Sequence, residues 1–223
     1  MNVNKNYRSI TMLLLGGSFV ALAVLVWNGK TDALDMTFRN WTLGFNTPTS
    51  VALWEYVSLM GSAVVLSGFS FLAIGFFILH HDWHTARRIA FAMGGAVVLD
   101  TISKWVVHRP RPEEIYAHTL PASYSFPSGH ALHSFTFYIL LAFVSTRHTG
   151  LNLTRAIWSA AVAISVLIGM SRIFLGVHYG SDVLGGYLIA AAWLVFVMKP
   201  TAANKIDPTS PNKKDATKKA ASS

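Results

Sequence analysis

Lys104 and Arg111 stand seven positions apart in the stretch Lys-Trp-Val-Val-His-Arg-Pro-Arg-Pro. A second polar knot, Pro127-Ser128-Gly129-His130, opens an apolar run, and a third holds Ser171, Arg172, His178 and Asp182. Lys104, Arg111 and Arg172 are three cations with no matching set of carboxylates, which implies an anionic ligand. A phosphate accepts from ammonium and guanidinium alike. Ser128 and Gly129, leading into a helix, offer a hydroxyl and backbone N–H groups at the positive end of the helix dipole. His178 and Asp182 share a helical face at a spacing of four. A carboxylate on one imidazole nitrogen fixes the tautomer and leaves the other as a nucleophile. His130, beside the glycine turn, could protonate a leaving oxygen. The chemistry expected is in-line phosphoryl transfer through a phosphohistidine at His178, with the cations stabilising the equatorial oxygens. A metal is the competing use of two histidines and an aspartate. There is no H-E-x-x-H and no Asp-rich cluster, and a tri-cationic neighbourhood repels a divalent ion, so neither metal nor other cofactor is expected.

The elements that must position these residues are apolar. Of the 223 residues, 52% are hydrophobic and only 13% charged, against about 25% charged in an ordinary soluble domain. With a mean hydropathy of +0.43, this excludes disorder and a coiled coil and points to an integral membrane protein. Six runs have the length to cross a bilayer: about 10–27, 58–79, 89–107, from 130 to 144, 156–173 and 182–198. The fold class expected is all-α, an integral membrane bundle of six transmembrane helices. The first run, preceded by Lys5 and Arg8, has no A-x-A cleavage site after it and reads as a retained anchor rather than a signal peptide. Placing both termini in the cytoplasm puts most Lys and Arg inside, among them Arg87, Arg88, Arg147 and Arg155, and brings all three polar knots to the outer face. The net charge of +8 then reflects orientation and an anionic ligand rather than nucleic acid, and cysteine chemistry is excluded by a count of zero.

Residues 1–199 form one membrane domain on this reading. Within it, 28–50 repeats Leu34, Phe38, Trp41 and Phe45 at helical spacing, which suits either a short helix in the outer interface or a loop packed on the bundle. Residues 108–129 are the outer active-site loop, and 200–223 a disordered basic cytoplasmic tail. Asp100, one turn before Lys104, is expected to hold that lysine or bond a neighbouring helix rather than react. Asp182 also suits a helix N-cap. His133 reads as a packing or supporting group near His130. His108, Arg109, Glu113, Glu114 and His118 read as solvated, with Arg109 or His118 in reach of a lipid head group. His80, His81 and His84 read as interfacial loop residues, and the tryptophans as interface anchors and core.

Lys104 to Pro112 matches K-x6-R-P, Pro127 to His130 matches P-S-G-H, and Ser171 to Asp182 matches S-R-x5-H-x3-D. With these three signatures in order, residues 51–198 resemble the type-2 phosphatidic acid phosphatases, or lipid phosphate phosphatases, whose site is similar to that of vanadium haloperoxidases. The resemblance implies that Lys104, Arg111 and Arg172 bind phosphate with Ser128 and Gly129. It implies that His178 is the nucleophile, Asp182 its partner and His130 the general acid, without a metal. The short bacterial members that the chain resembles act on phosphatidylglycerophosphate, phosphatidic acid or undecaprenyl pyrophosphate. A lipid A or sphingolipid phosphatase, a phosphotransferase, or a non-catalytic lipid phosphate binder or transporter are the alternatives. The expected partners are the lipid phosphate substrate and membrane lipids, not nucleic acid; oligomeric state is unknown from sequence.

Overall fold

In the computed structural model, residues 3–113, 123–147 and 149–198 are described, with eight helices among them. They are α1 (Val3–Trp27), α2 (Asp32–Leu43), α3 (Pro48–Leu59), α4 (Ala63–Leu79), α5 (Trp83–Val107), α6 (Gly129–Ser145), α7 (Leu151–Phe174) and α8 (Gly180–Val197). No strand occurs among the described residues. Five stretches are long and apolar enough to cross a membrane, α3 and α4 together counting as one of 32 residues. α6 is a shorter apolar helix of 17 residues. The proposed tail, with Glu114 and His118 of the loop, lies outside the described residues.

α6 is the axis. It packs against α5, α7 and α8, while α1 lies on α8, α4 on α5 and α3 on α7. Its Leu132, Thr136, Leu140 and Val144 are all buried. Leu140 joins Leu66, Ile89, Ala92 and Ile168 in the main core. Small residues set the close approaches. A Cβ on Gly95 would lie 2.1 Å from the Trp193 ring, and one on Gly169 would lie 1.9 Å from the Tyr187 hydroxyl. The outward faces are greasy: Val64, Phe71, Leu72 and Leu79 are each more than 70% exposed. That surface matches hydrocarbon rather than water, as expected of an integral membrane protein.

One local feature departs from the sequence reading. The second apolar run does not begin at 58. Thr47 caps a helix that starts at Pro48, with Ser50 returning the capping bond, and Met60-Gly61-Ser62 breaks it before α4. Glu55 lowers the hydropathy of 51–57, so the run looks interrupted where the backbone stays helical. Gly61 marks the break because a Cβ there would sit 2.3 Å from Ile168 and 3.3 Å from the His130 ring. Residues 32–43 are a helix, one of the two forms expected of the 28–50 segment. α2 carries its apolar residues outward, with Leu34 75% and Trp41 54% exposed, while Asp35, Arg39 and Thr42 are buried.

Candidate active site

Four helix ends meet at one end of the bundle: the last turns of α5 and α7 and the first turns of α6 and α8. Lys104 projects from the last turn of α5 and pairs with Asp100 at 2.7 Å, the holding role expected of that aspartate. A Cβ on Gly129 would lie 3.2 Å from the Lys104 ammonium and 3.1 Å from the Asp100 carboxylate. A side chain at position 129 would push this pair back by a few tenths of an ångström. Ser128 caps α6, yet its hydroxyl makes no capping bond and is buried without a partner. The Ser128 N–H instead donates to the Asp182 carbonyl at 2.9 Å, which ties the glycine turn to α8. The first N–H groups of α6 are left for a ligand, as at any helix N-terminus.

α7 ends in Arg172. Its guanidinium donates to Ser58 of α3, and its Nε is buried without a partner. The chain then turns back so that the His178 N–H donates to the Arg172 carbonyl at 3.2 Å. His178 is 3% exposed. Its Nδ1 lies 3.4 Å from Asp182 Oδ2, and its Nε2 lies 3.2 Å from Arg111 Nη1. A guanidinium only donates, so Nε2 accepts, and the ring proton belongs on Nδ1 facing the carboxylate. Burial, reinforced by Arg111 and Arg172 and opposed by Asp182, pushes the His178 pKa down to about 4. The ring is neutral at neutral pH with its lone pair on the side of the cations.

Arg111 reaches this position from the extended Arg109-Pro110-Arg111-Pro112 segment. It donates to the carbonyls of Ser123 and Val177, both at 2.7 Å. None of these partners is charged, and burial lowers its pKa against the pull of Asp182 and Asp100. His130 begins α6, with Arg172, His178, His133 and Lys104 all in electrostatic reach. A cleft of about 710 Å³ opens beside these groups, lined by Asp100, Lys104, Arg111, Ser123 and Tyr124 among others. The structure thus brings together every residue singled out from the sequence: Lys104, Arg111, Ser128, Gly129, His130, Arg172, His178 and Asp182.

Three features were not foreseen. Arg109, read as a solvated loop residue, is 7% exposed. It bridges Asp182 at 2.8 Å, Asp35 at 2.7 Å and Asp32 at 3.2 Å. Burial opposes its charge, but the carboxylates outweigh that cost and hold its pKa above the ordinary value. Second, beyond the expected Asp100 the site gains carboxylates from α2, which supplies Asp32 and Asp35. Third, Ser125 donates to Asp182 Oδ2 at 2.5 Å, beside the Tyr179 N–H at 2.9 Å; the N-cap of α8 is Tyr179 rather than Asp182, and Asp182 closes the cap from the third helical position while it faces His178. No signature includes Ser125, Asp35 or Ser58, and only the fold reveals them. His133, one turn beyond His130, lines a groove between α4 and α5 with its Nε2 unpartnered. Among the described residues no group of His, Asp and Glu has the geometry of a metal site, His80, His81 and His84 included.

An apolar helical bundle with a cation-lined cleft beside a buried histidine at one end defines a membrane enzyme of phosphate chemistry. The chain belongs to the PAP2 superfamily, whose profile matches residues 85–205. Phosphatidylglycerophosphatase B of Bacillus subtilis is 25% identical over 197 residues, covering 86% of this chain and 94% of that protein. An undecaprenyl-diphosphatase of Sulfolobus acidocaldarius is 34% identical over 126 residues, 53% of each chain. Among solved structures, the transmembrane PAP2-type phosphatidylglycerolphosphate phosphatase of Bacillus subtilis superposes with a TM-score of 0.77 at 23% identity. It covers 84% of this chain and 94% of its own. LpxE of Aquifex aeolicus superposes at 0.59, with 24% identity over 75% of this chain and 96% of its own. Both likenesses are of fold.

Proposed function

We propose that this PAP2-family phosphatase hydrolyses a membrane lipid phosphate, either phosphatidylglycerophosphate, phosphatidic acid or undecaprenyl pyrophosphate, at the outer face of the cytoplasmic membrane. The observation that carries the reading is His178, held by Asp182 on Nδ1 with Nε2 turned to Arg111 at 3.2 Å. Pure binding of a phosphate needs the cations alone; an oriented, neutral imidazole among them is a nucleophile's arrangement. In the reaction, phosphate oxygens take the donors of Lys104, Arg111, Arg172, Ser128 and the Gly129 turn. The lone pair of His178 Nε2 attacks phosphorus in line, the P–O bond to the lipid breaks, and His130 gives its proton to the leaving oxygen. Water then attacks the phosphohistidine, His130 takes the proton back, and His178 leaves with inorganic phosphate as product. No metal takes part. The six-span arrangement of residues 1–199, with both termini and the 200–223 tail in the cytoplasm, accords with the distribution of Lys and Arg.

The test is phosphate release from purified protein in detergent with EDTA, for wild type and His178→Ala, over those three lipids and a lipid A 1-phosphate. Release by wild type alone is expected, and the fastest lipid identifies the substrate. Full turnover by His178→Ala, or dependence on a divalent ion, would overturn the mechanism.

A further inference from the structure

Arg109 lies on the far side of Asp182 from His178. Its Nη1 donates to Asp182 Oδ1 at 2.8 Å and to Ser181 Oγ at 2.7 Å, and its Nη2 donates to Asp35 Oδ2 at 2.7 Å. Its plane lies over the Tyr179 ring, 4.1 Å from the centroid. Asp35, itself 4% exposed, also accepts from the Ser181 N–H at 2.9 Å and the Ser181 hydroxyl at 2.6 Å. One carboxylate of α2 therefore grips both the first turn of α8 and the arginine that touches Asp182.

We propose that Arg109 and Asp35 are positioning residues of the His178–Asp182 pair: α2 delivers Asp35 to hold the Arg109 guanidinium against Asp182, which fixes that carboxylate toward His178. The proposal rests on the reading of His178 as nucleophile. A buried carboxylate with no cation draws a proton onto any neighbouring base. The base beside Asp182 is His178, and a protonated His178 cannot attack. Arg109 supplies the compensating charge from the side away from the ring and leaves Nε2 unprotonated. His178 is faced by Asp182 from α8, Arg172 from α7, His130 from α6 and Arg111 from the 109–112 segment. Of these only Asp182 favours the imidazolium, and Arg109 restrains it. Arg39, the next buried cation along α2, and Asp32, which is mostly exposed, complete the charges around Arg109 and Tyr179.

The experiment compares kcat/KM against pH for wild type, Arg109→Gln, Arg109→Lys, Asp35→Asn, Asp182→Asn and the Arg109→Gln/Asp182→Asn pair, with inorganic phosphate as competitive inhibitor. His178→Ala is the control. Arg109→Gln is expected to lose about 10–100-fold in kcat/KM, the scale of losing a partner that orients a site group. Its acid limb should move to higher pH, Arg109→Lys should recover part of the loss, and phosphate inhibition should be unchanged. Asp35→Asn should shift the limb in the same direction by less, and it keeps the residue's volume should Arg109→Gln fail to fold. In the Asp182→Asn background, losing Arg109 should cost little more. An unmoved acid limb, losses that multiply in the double variant, or phosphate inhibition weakened in step with kcat/KM would each overturn the proposal. Turnover by His178→Ala would instead remove the nucleophile on which it rests, a separate and visible failure.

Discussion

Replacing Asp182 by Asn changes one atom and should separate catalysis from stability. Oδ1 accepts from Arg109; Oδ2 accepts from Ser125 and the Tyr179 N–H and faces His178 Nδ1. Arg109 has no acceptor to offer, so the amide must keep its oxygen there and turn its NH2 toward His178. That NH2 donates to Nδ1, the ring proton moves to Nε2, and the lone pair needed for attack is gone. In a serine-protease triad the equivalent change lowers kcat by about 10⁴, which is about 5 kcal/mol of barrier. The cost to folding is smaller. Arg109 keeps Asp35 at 2.7 Å and Asp32 at 3.2 Å, so no buried cation is stranded. The loss is closer to the about 1–3 kcal/mol of one poorly satisfied buried group than to the 3–5 kcal/mol of a broken buried ion pair. The assay is initial-rate phosphate release from the best lipid substrate beside thermal unfolding in the same detergent. A folded protein with kcat down by about three to four orders of magnitude is expected. A variant within tenfold of wild type would refute the tautomer argument; a variant that fails to fold would refute the claim that Asp35 and Asp32 shelter Arg109.

Three further outcomes follow from the same geometry. Because His178 is pushed down to about 4 and must be neutral to attack, the acid limb of kcat/KM should lie near that value rather than near the ordinary 6.5 of histidine; a limb near 6.5 would contradict the burial argument. Between those two values the unfolded chain binds a proton that the folded protein does not, so the stability contribution of His178 is complete above 6.5 and falls as pH drops toward 4, readable as a lowered unfolding temperature. Gly186→Ala should impair turnover on every lipid without touching a ligand. Its Cβ would lie 2.8 Å from the Ser128 carbonyl and 3.2 Å from the Leu132 N–H, both backbone, so the phosphate turn must shift away from α8. Unchanged kinetics in that variant would show that the turn tolerates displacement.

The sequence was most informative where chemistry and helix ends coincide. Lys104, Arg111, Ser128, Gly129, His130, Arg172, His178 and Asp182 are legible because phosphate chemistry fixes residue type; the shared helical face expected of His178 and Asp182 is not formed, because His178 lies in the turn before α8 and meets Asp182 across the start of that helix. The third, fifth and sixth apolar runs were legible because their few charged residues, Asp100 and Lys104, Arg172, and Asp182, gather toward the site end of each helix. What failed was anything decided across long separations. Arg109 looks like one more loop cation until α2, more than seventy positions earlier in the chain, delivers Asp35 to it. Ser58 sits in a run read as membrane span, yet it accepts from Arg172. The start of α3 at Pro48 was missed because the second span was read only from 58 onward. The inverted face of α2, polar inward and apolar outward, is expected of an interfacial helix; its moment alone could not say which partner the polar face meets.

The two arginines of Arg-Pro-Arg-Pro show why such a partner matters. They lie two residues apart, and Pro110 and Pro112 restrict the backbone to extended conformations. Their guanidinium groups nevertheless bracket one pair from opposite ends: Arg109 meets Asp182, and Arg111 meets Nε2 of His178. Arg109 is bound to three carboxylates and cannot leave them without stranding buried charge. Arg111 is bound to carbonyls, a hydroxyl and an imidazole, all neutral, so an arriving phosphate offers it a stronger partner than any it holds. Residue type alone makes these arginines equivalent. The surrounding carboxylates make one a fixed counter-ion and the other a ligand in waiting, and the difference comes from a helix whose sequence carries none of the family's signatures.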